Sequence, residues 1–153
     1  MDYMERALKL ARKAWGNTSP NPAVGAVIVK DGVVVGEGFT QPPGGAHAEI
    51  IALQQAGDKA KGATMYITLE PCCPPKSGRT PPCTQAIIAD GISEVHFSQR
   101  DPNPQVNGTG KAALEAAGIK VIESECAEEC REINEAYFKY ITTGLPFVIA
   151  KFA

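Results

Sequence analysis

His47, Glu49, Cys72 and Cys83 combine side-chain types and spacing that suit hydrolytic chemistry. An imidazole and two thiolates are common zinc ligands, and three protein ligands leave the fourth tetrahedral position open for water. Zinc lowers the pKa of such a water toward about 7, and a nearby carboxylate could accept its proton. Taken alone, Glu49 would more often be an exposed helix carboxylate, but His47 lies two residues before it. The pattern predicts one catalytic Zn²⁺ per chain held by His47, Cys72 and Cys83, with Glu49 as the proton carrier.

The remaining candidate ligands have simpler interpretations. Cys73 directly follows Cys72, and the Glu-Pro-Cys order favours Cys72 as the ligand. Cys126 and Cys130 are spaced as on one helix face, where a partly buried surface is a more common outcome than a second metal site. His96 lies within a predicted strand, and we expect it to be a packed side chain rather than a ligand.

Composition limits the classes of partner. The 153 residues suit one ordinary domain, and the net charge of −2 gives no general attraction to nucleic acid or to an anionic membrane. No run of about 18 apolar residues occurs, and the polar first residues do not resemble a signal peptide. The odd number of cysteines, 5 in all, favours thiols or metal ligands over disulfides. We therefore expect a cytoplasmic protein with neither nucleic acid nor membrane as a partner.

Hydrophobic periodicity and turn residues predict an α/β domain. Gly36 and Gly38 are expected to weaken the end of the second strand, and residues 147–150 resemble one further strand. A hairpin followed by alternating strands and helices favours a central mixed five-stranded sheet with helices on both faces. The predicted order is α-β-β-α-β-α-β-α-β-α, over residues 2–15, 24–29, 33 onward, 47–56, 64–69, 82–89, 94–98, 111–117, 119–122 and 127–142.

The predicted elements place the chemical residues at element ends. His47 opens one helix, Cys83 opens another, and Cys72 follows a buried strand directly after Pro71. Unpaired N–H groups and the helix dipole stabilise thiolates at helix N-termini. The three ligands are therefore expected where a metal site is physically reasonable.

Longer motifs resemble the pyrimidine deaminases of riboflavin biosynthesis, which are similar to zinc deaminases with an H-x-E and P-C-x-x-C signature. The H-x-E half is present, whereas ten residues separate Cys72 from Cys83. That longer spacing separates this group from cytidine and tRNA adenosine deaminases. The resemblance extends over almost the whole chain and rests on residues 19–22 (SPNP), 24–29 (VGAVIV), 68–72 (TLEPC), 78–83 (GRTPPC) and 100–104 (RDPNP).

The resemblance implies a three-layer α/β/α cytidine-deaminase-like fold with one catalytic zinc ion. It implies hydrolysis of 2,5-diamino-6-(5-phosphoribosylamino)pyrimidin-4(3H)-one, in which oxygen replaces the 2-amino group and ammonia leaves. In the family, residues matching Asn21, Arg79, Asp101 and Asn103 line the substrate site. Amides can pair with a pyrimidine edge, and an arginine can hold a phosphate through two hydrogen bonds. Without the resemblance, the two asparagines and the aspartate would be ordinary turn residues beside prolines.

The chain departs from the family's pattern in three places. The loop between Cys72 and Cys83 is longer than the usual version, and Thr40 replaces a histidine that many members have near the substrate. Many members also carry a reductase after the deaminase, and residues 146–153 resemble only its opening strand. We therefore expect a zinc-dependent deaminase domain over residues 1–145 and a C-terminal strand over 146–153. The chain would be a stand-alone deaminase or a fragment, without reductase activity.

Two other functions stay open. A zinc-dependent deaminase of a free purine or pyrimidine base would use the same ligands and carboxylate, but no phosphate contact from Arg79. A non-catalytic zinc-binding module would need a fourth protein ligand, and the adjacency of Cys73 to Cys72 would strain joint chelation. A tRNA-editing role is disfavoured by the net charge of −2. The family suggests a homo-oligomer, a dimer or larger, and a reductase domain or protein as partner.

Overall fold

The computed structural model describes residues 2–73, 82–104, 106–123 and 126–152. A 3-10 turn, Gly57–Ala60, follows the second helix. Within the described ranges the helices and strands are α1 (Tyr3–Ala14), β1 (Gly25–Lys30), β2 (Val33–Phe39), α2 (Ala48–Ala56), β3 (Thr64–Leu69), α3 (Cys83–Ala89), β4 (Glu94–Gln99), α4 (Thr109–Ala116), β5 (Lys120–Glu123), α5 (Ala127–Ile133) and α6 (Glu135–Thr143).

The strands form a mixed sheet of five strands in the order β2-β1-β3-β4-β5. β1 is antiparallel to both β2 and β3, with Ala26 opposite Ile67. The β3–β4 and β4–β5 pairs are parallel, and Ile67 also pairs with Phe97. The predicted sheet is confirmed, and its parallel part brings the carboxyl ends of β3 and β4 to the same edge.

Helices cover both faces of the sheet, as predicted. α1 and α5 pack on one face. α2 packs on the other face, where α3 contacts both α2 and α4. The larger core lies on the second face and includes Ile28, Ile67, Phe97 and Ile87, all at most 1% exposed. The smaller core lies under α1. The molecule is therefore a three-layer α/β/α domain.

The glycines of β2 allow close packing of α2, which carries Glu49 in its first turn. The prediction that these glycines weaken the strand's end stays a prediction, and β2 continues through both of them to Phe39. A Cβ on Gly36 would lie 2.1 Å from the Ala52 carbonyl oxygen, and one on Gly38 would lie 2.2 Å from the Ala48 oxygen. Such distances are far below van der Waals contact, so only glycine permits this approach of helix to strand.

The C-terminal region differs from the prediction in two ways. The single helix predicted over 127–142 is two helices, α5 and α6, which meet at Asn134 with backbone angles of −108° and 18°. The strand predicted over 147–150 is not formed, and Val148 and Ile149 are 75% and 81% exposed. A strand needs a neighbouring edge to take its hydrogen bonds, and within the described residues this segment pairs with none.

The division of the chain at residue 145 stays a prediction. Among the described residues, we find no helix with the length and apolar character needed to cross a bilayer.

Candidate active site

Three side chains predicted as metal ligands meet at one end of the sheet. The ligand atoms of His47, Cys72 and Cys83 all lie within 4.8 Å of one another. His47 Nδ1 is 3.3 Å from Cys83 Sγ and 3.8 Å from Cys72 Sγ. Nitrogen and sulfur ligands at the usual zinc bond lengths, seen at a tetrahedral angle, are separated by about 3.6 Å. The donor set and its spacing therefore fit a zinc ion.

Element ends hold these ligands in place. His47 precedes α2 in an extended conformation, and Cys83 is the first residue of α3. Cys72 follows the end of β3, and its sulfur accepts the backbone N–H of Cys83 at 3.2 Å. The Thr84 N–H also donates to the Cys72 carbonyl, again at 3.2 Å. The N-terminus of α3 is thus directed at Cys72, which favours negative charge on that sulfur.

Hydrogen bonding and burial both change the pKa of the second ligand thiol, that of Cys83. The hydrogen bond to Cys72 is the main reason that the pKa of the Cys83 thiol is raised, and burial adds to the rise. Because zinc binds thiolates, loading this cluster releases protons to solvent.

Glu49 lies in the first turn of α2 and is only 4% exposed. Burial is the main reason that the pKa of Glu49 is raised above the ordinary value of a glutamate, and the charge of Cys72 raises it further. The N-terminus of a helix is otherwise a favourable place for a carboxylate. A buried acid beside zinc-type ligands is typical of a group that transfers protons rather than of a solvated charge.

One cavity of about 390 Å³ connects the ligand cluster to the predicted substrate residues. The structure brings six predicted site residues to the wall of this cavity, and Arg79 lies outside the described residues. Cys83 belongs to the same ligand cluster. The six are Asn21, His47, Glu49, Cys72, Asp101 and Asn103.

Asp101 is buried at the cavity wall, and donors from two parts of the chain bond its carboxylate. Its Oδ1 atom accepts the Asn103 backbone N–H at 2.9 Å and the Tyr137 hydroxyl at 2.9 Å. Burial raises the pKa of Tyr137, and the neighbouring carboxylate of Asp101 raises it further. The tyrosine hydroxyl therefore keeps its proton and acts as a donor to Asp101.

Helix α6 supplies cavity residues that the sequence reasoning missed. Tyr137, Tyr140 and Ile141 line the cavity. Their spacing of three and four residues places them on one helix face, a signal that was available but that does not say what the face meets. Thr40 also lines the cavity, and its hydroxyl accepts the Val24 N–H at 3.1 Å.

Glu70 connects the end of β3 to the start of α4. Its carboxylate is 3% exposed and accepts the backbone N–H groups of Gly108 at 2.9 Å and Lys111 at 3.1 Å. Carboxylates are favourable at helix N-termini, where N–H groups lack partners within the helix. The link holds Pro71, and therefore the segment leading to Cys72, against α4; a Cβ on Gly110 would lie 2.2 Å from the Pro71 oxygen.

One histidine, His96, and one cysteine, Cys73, stay outside the ligand cluster, as expected. His96 stacks on Tyr66 with ring centroids 4.6 Å apart and contacts Glu94 at 2.5 Å. Cys73 is buried but does not join the group of ligand atoms formed by its neighbour. The interpretation of His96 as a packed side chain is confirmed.

Comparisons with known proteins agree with this geometry. The chain is 53% identical over 152 residues to the riboflavin biosynthesis protein RibD of Aquifex aeolicus, covering 99% of this chain and 42% of the relative. A Thermotoga maritima diaminohydroxyphosphoribosylaminopyrimidine deaminase/5-amino-6-(5-phosphoribosylamino)uracil reductase superposes with a TM-score of 0.87 at 45% identity, covering 95% of this chain and 42% of that one. The chain thus spans about two fifths of the length of these two relatives.

A shorter relative matches over nearly its whole length. The Aspergillus oryzae Rib2 deaminase in complex with DARIPP, a C-terminal deletion mutant, superposes with a TM-score of 0.72 at 28% identity, covering 94% of this chain and 97% of that one. Residues 1–99, which contain His47, Glu49, Cys72 and Cys83, match the cytidine and deoxycytidylate deaminase zinc-binding region. That match covers more than half of the chain, and the chain therefore belongs to the family of deaminases that share this zinc-binding region.

Proposed function

We propose that this chain catalyses the hydrolytic deamination of 2,5-diamino-6-(5-phosphoribosylamino)pyrimidin-4(3H)-one in riboflavin biosynthesis. The products are 5-amino-6-(5-phosphoribosylamino)uracil and ammonia. The observation that carries the proposal is one cavity lined by a buried carboxylate, by zinc-type ligands and by polar residues of the predicted substrate site. The names of the Aquifex and Thermotoga relatives and the ligand of the Aspergillus deaminase support the substrate class.

The ligand cluster holds one zinc ion per chain in this proposal. His47, Cys72 and Cys83 supply the three protein ligands, and the spacing of their donor atoms supports the assignment. When bound, zinc supplies a Lewis acid that makes water a nucleophile near neutral pH. The start of α3 favours negative charge on the Cys72 sulfur through the Cys83 N–H, and both cysteines are buried.

Glu49 acts as the proton carrier. It accepts a proton from the attacking water, passes one to the ring nitrogen and later delivers one to the departing amine. A C–O bond forms at ring carbon 2, the bond to the 2-amino group breaks, and one water is consumed for each ammonia released. Burial raises the pKa of Glu49 and so brings its carboxyl closer to the range in which one group can both accept and donate a proton.

The polar cavity residues orient the substrate. Asn21 and Asn103 offer both donors and acceptors to the pyrimidine edge, and the Asp101 carboxylate accepts from an amine or from ribose hydroxyls. Arg79 holds the phosphate through two hydrogen bonds, an assignment that rests on the sequence alone. Assembly into a homo-oligomer, association with a reductase domain or protein, and a cytoplasmic location also stay predictions.

Ammonia release tests the proposal. Zinc-loaded wild-type protein is offered the phosphoribosylated pyrimidine, the same pyrimidine without ribosyl phosphate, and the free bases cytosine and guanine. We expect a kcat/KM about 100-fold or more higher for the phosphoribosylated compound, because buried polar groups left unpaired penalise the truncated ones. Equal rates on the bare bases would favour the free-base deaminase instead. Zinc-loaded protein that releases no ammonia from any of them would favour a non-catalytic zinc-binding module.

A further inference from the structure

Helix α6 contributes to the wall of the cavity that also contains the ligands His47 and Cys72. The zinc-binding family region ends at residue 99, whereas Asp101 and Tyr137 follow it. The ligands and the proton carrier therefore belong to the part shared across the deaminase family. Asp101 and Tyr137 complete the cavity from outside that matched region.

We propose that Tyr137 is a positioning residue that orients the Asp101 carboxylate as an acceptor for donors on the substrate. The inference rests on the deaminase function proposed above, and it adds a specificity role for α6. Tyr137 and Asp101 both line the cavity, although 36 residues separate them in the chain.

The geometry of the Asp101 carboxylate favours this role. Oδ1 of Asp101 receives two hydrogen bonds of 2.9 Å from different directions, one from the Asn103 backbone and one from the Tyr137 hydroxyl. Two donors on one oxygen restrict rotation about the bond that carries the carboxylate, and thereby set the direction of its acceptor positions. The Asn103 bond is local to the turn, whereas the Tyr137 bond comes from α6, so the direction of the carboxylate depends in part on α6.

The helix that carries Tyr137 is anchored to another part of the fold. Asn134, one helical turn earlier, accepts the Ala23 N–H at 2.7 Å and donates to the Ala23 oxygen at 2.9 Å. These bonds attach the start of α6 to the segment that carries Asn21. The helix that carries Tyr137 is therefore anchored to the framework by bonds that do not involve Asp101. A fixed donor is what a positioning role requires, because a mobile one would follow the carboxylate instead of orienting it.

A purely structural role of Tyr137 would change different measured quantities from those that a positioning role would change. If Tyr137 only filled space and satisfied a buried acceptor, removal of its hydroxyl would lower stability and leave the kinetic constants of the folded enzyme unchanged. If it orients a substrate contact made in both ground and transition states, KM rises while kcat changes little.

The experiment compares Tyr137→Phe, Asp101→Ala and the double variant with the wild type in the zinc-loaded enzyme, using ammonia release from the phosphoribosylated pyrimidine. We expect KM to rise about tenfold in Tyr137→Phe with kcat within about twofold, as the loss of one hydrogen bond to a charged group suggests. Because Tyr137 acts through the Asp101 carboxylate, which alanine lacks, the double variant should be no worse than Asp101→Ala alone. Tyr3→Phe is the matched control: it removes a phenolic hydroxyl that bonds the Gly32 oxygen at 3.0 Å outside the cavity, and KM should not change.

The outcomes separate the two proposals. An active wild type with an unchanged KM in Tyr137→Phe would overturn the positioning role and leave the deaminase function standing. A fully additive double variant would also overturn it, because the two residues would then act independently. A folded, zinc-loaded wild type without activity on this substrate would overturn the proposed function and the positioning role together. Melting curves of each variant show whether a change in KM comes from a folded protein.

Discussion

Asn134 pairs with the main chain of Ala23 through both ends of its amide, across 111 residues of sequence. The side-chain oxygen accepts the Ala23 N–H at 2.7 Å, and the amide nitrogen donates to the Ala23 oxygen at 2.9 Å and to the Cys130 oxygen at 3.3 Å. The side chain is 4% exposed, so water cannot replace these bonds. The break between α5 and α6 and the position of the loop carrying Asn21 therefore depend on one amide.

Replacement of Asn134 by aspartate should destabilise the protein by about 2–4 kcal/mol, although the side-chain volume hardly changes. The aspartate keeps an acceptor for the Ala23 N–H but places an oxygen against the Ala23 carbonyl, where a donor is needed. Urea unfolding at neutral pH measures the difference. Asn107→Asp, at an exposed position before α4, is the control and should change stability by less than about 0.5 kcal/mol. Equal stability of Asn134→Asp and wild type would contradict the pairing.

Short sequence motifs made the ligand cluster predictable, whereas the wall of the cavity is formed by tertiary contacts. His47, Cys72 and Cys83 each lie within a short motif at the end of an element, and the element ends followed from periodicity and turn residues. Tyr137 bonds Asp101 because α6 packs beside the segment that carries Asp101, and no local sequence pattern predicts this packing.

The observed fold goes beyond the sequence predictions for the same reason, because tertiary contacts decide these features. The hydrophobic pattern continues through residues 127–142 and predicts one helix, but the bonds between Asn134 and Ala23 end it in the middle. Gly36 and Gly38 weaken a strand by local propensity, yet the approach of α2 requires a residue without a side chain at both positions. The apolar residues near 147–150 predict a strand, and the described structure offers that segment no edge to join.

The carboxyl of Glu123 should make stability depend on pH in the acid range. Its hydrogen bond to Arg100 is the main cause that lowers its pKa from 4.5 to about 2, and Lys111 contributes further. The unfolded chain therefore binds a proton before the folded one does. The stabilisation is complete above pH 4.5 and is lost as the pH falls through 4.5 toward 2.

Urea unfolding of wild type and Glu123→Gln between pH 2 and pH 7 measures this contribution. The advantage of the wild type should be small, because the side chain is 41% exposed and solvent screens the pair. It should shrink toward pH 2 and at high salt. Glu115→Gln, an exposed neighbour on α4, is the control. An advantage that grows on acidification would contradict the sign of the pKa shift.

Adjacent cysteines allow a sharp test of the ligand assignment. Cys72→Ser should lose most of the bound zinc, because a hydroxyl is a far poorer zinc ligand than a thiolate. Cys73→Ser changes the neighbouring residue, which is equally buried at 8% exposure, and should keep zinc at the wild-type level. Atomic emission on protein purified with added zinc measures both. Zinc retained by Cys72→Ser but lost by Cys73→Ser would show that the wrong sulfur was assigned.

Zinc content and ammonia release, measured on the same preparation of Glu49→Gln, test the role of Glu49 directly. The variant keeps the volume of a buried side chain and removes its ability to carry a proton. We expect zinc at the wild-type level and a rate of ammonia release that is about 100-fold to 10,000-fold lower, whereas Glu5→Gln on the exposed face of α1 should change neither. Full turnover by zinc-loaded Glu49→Gln would contradict the central claim that this buried carboxylate moves the protons of a hydrolytic deamination.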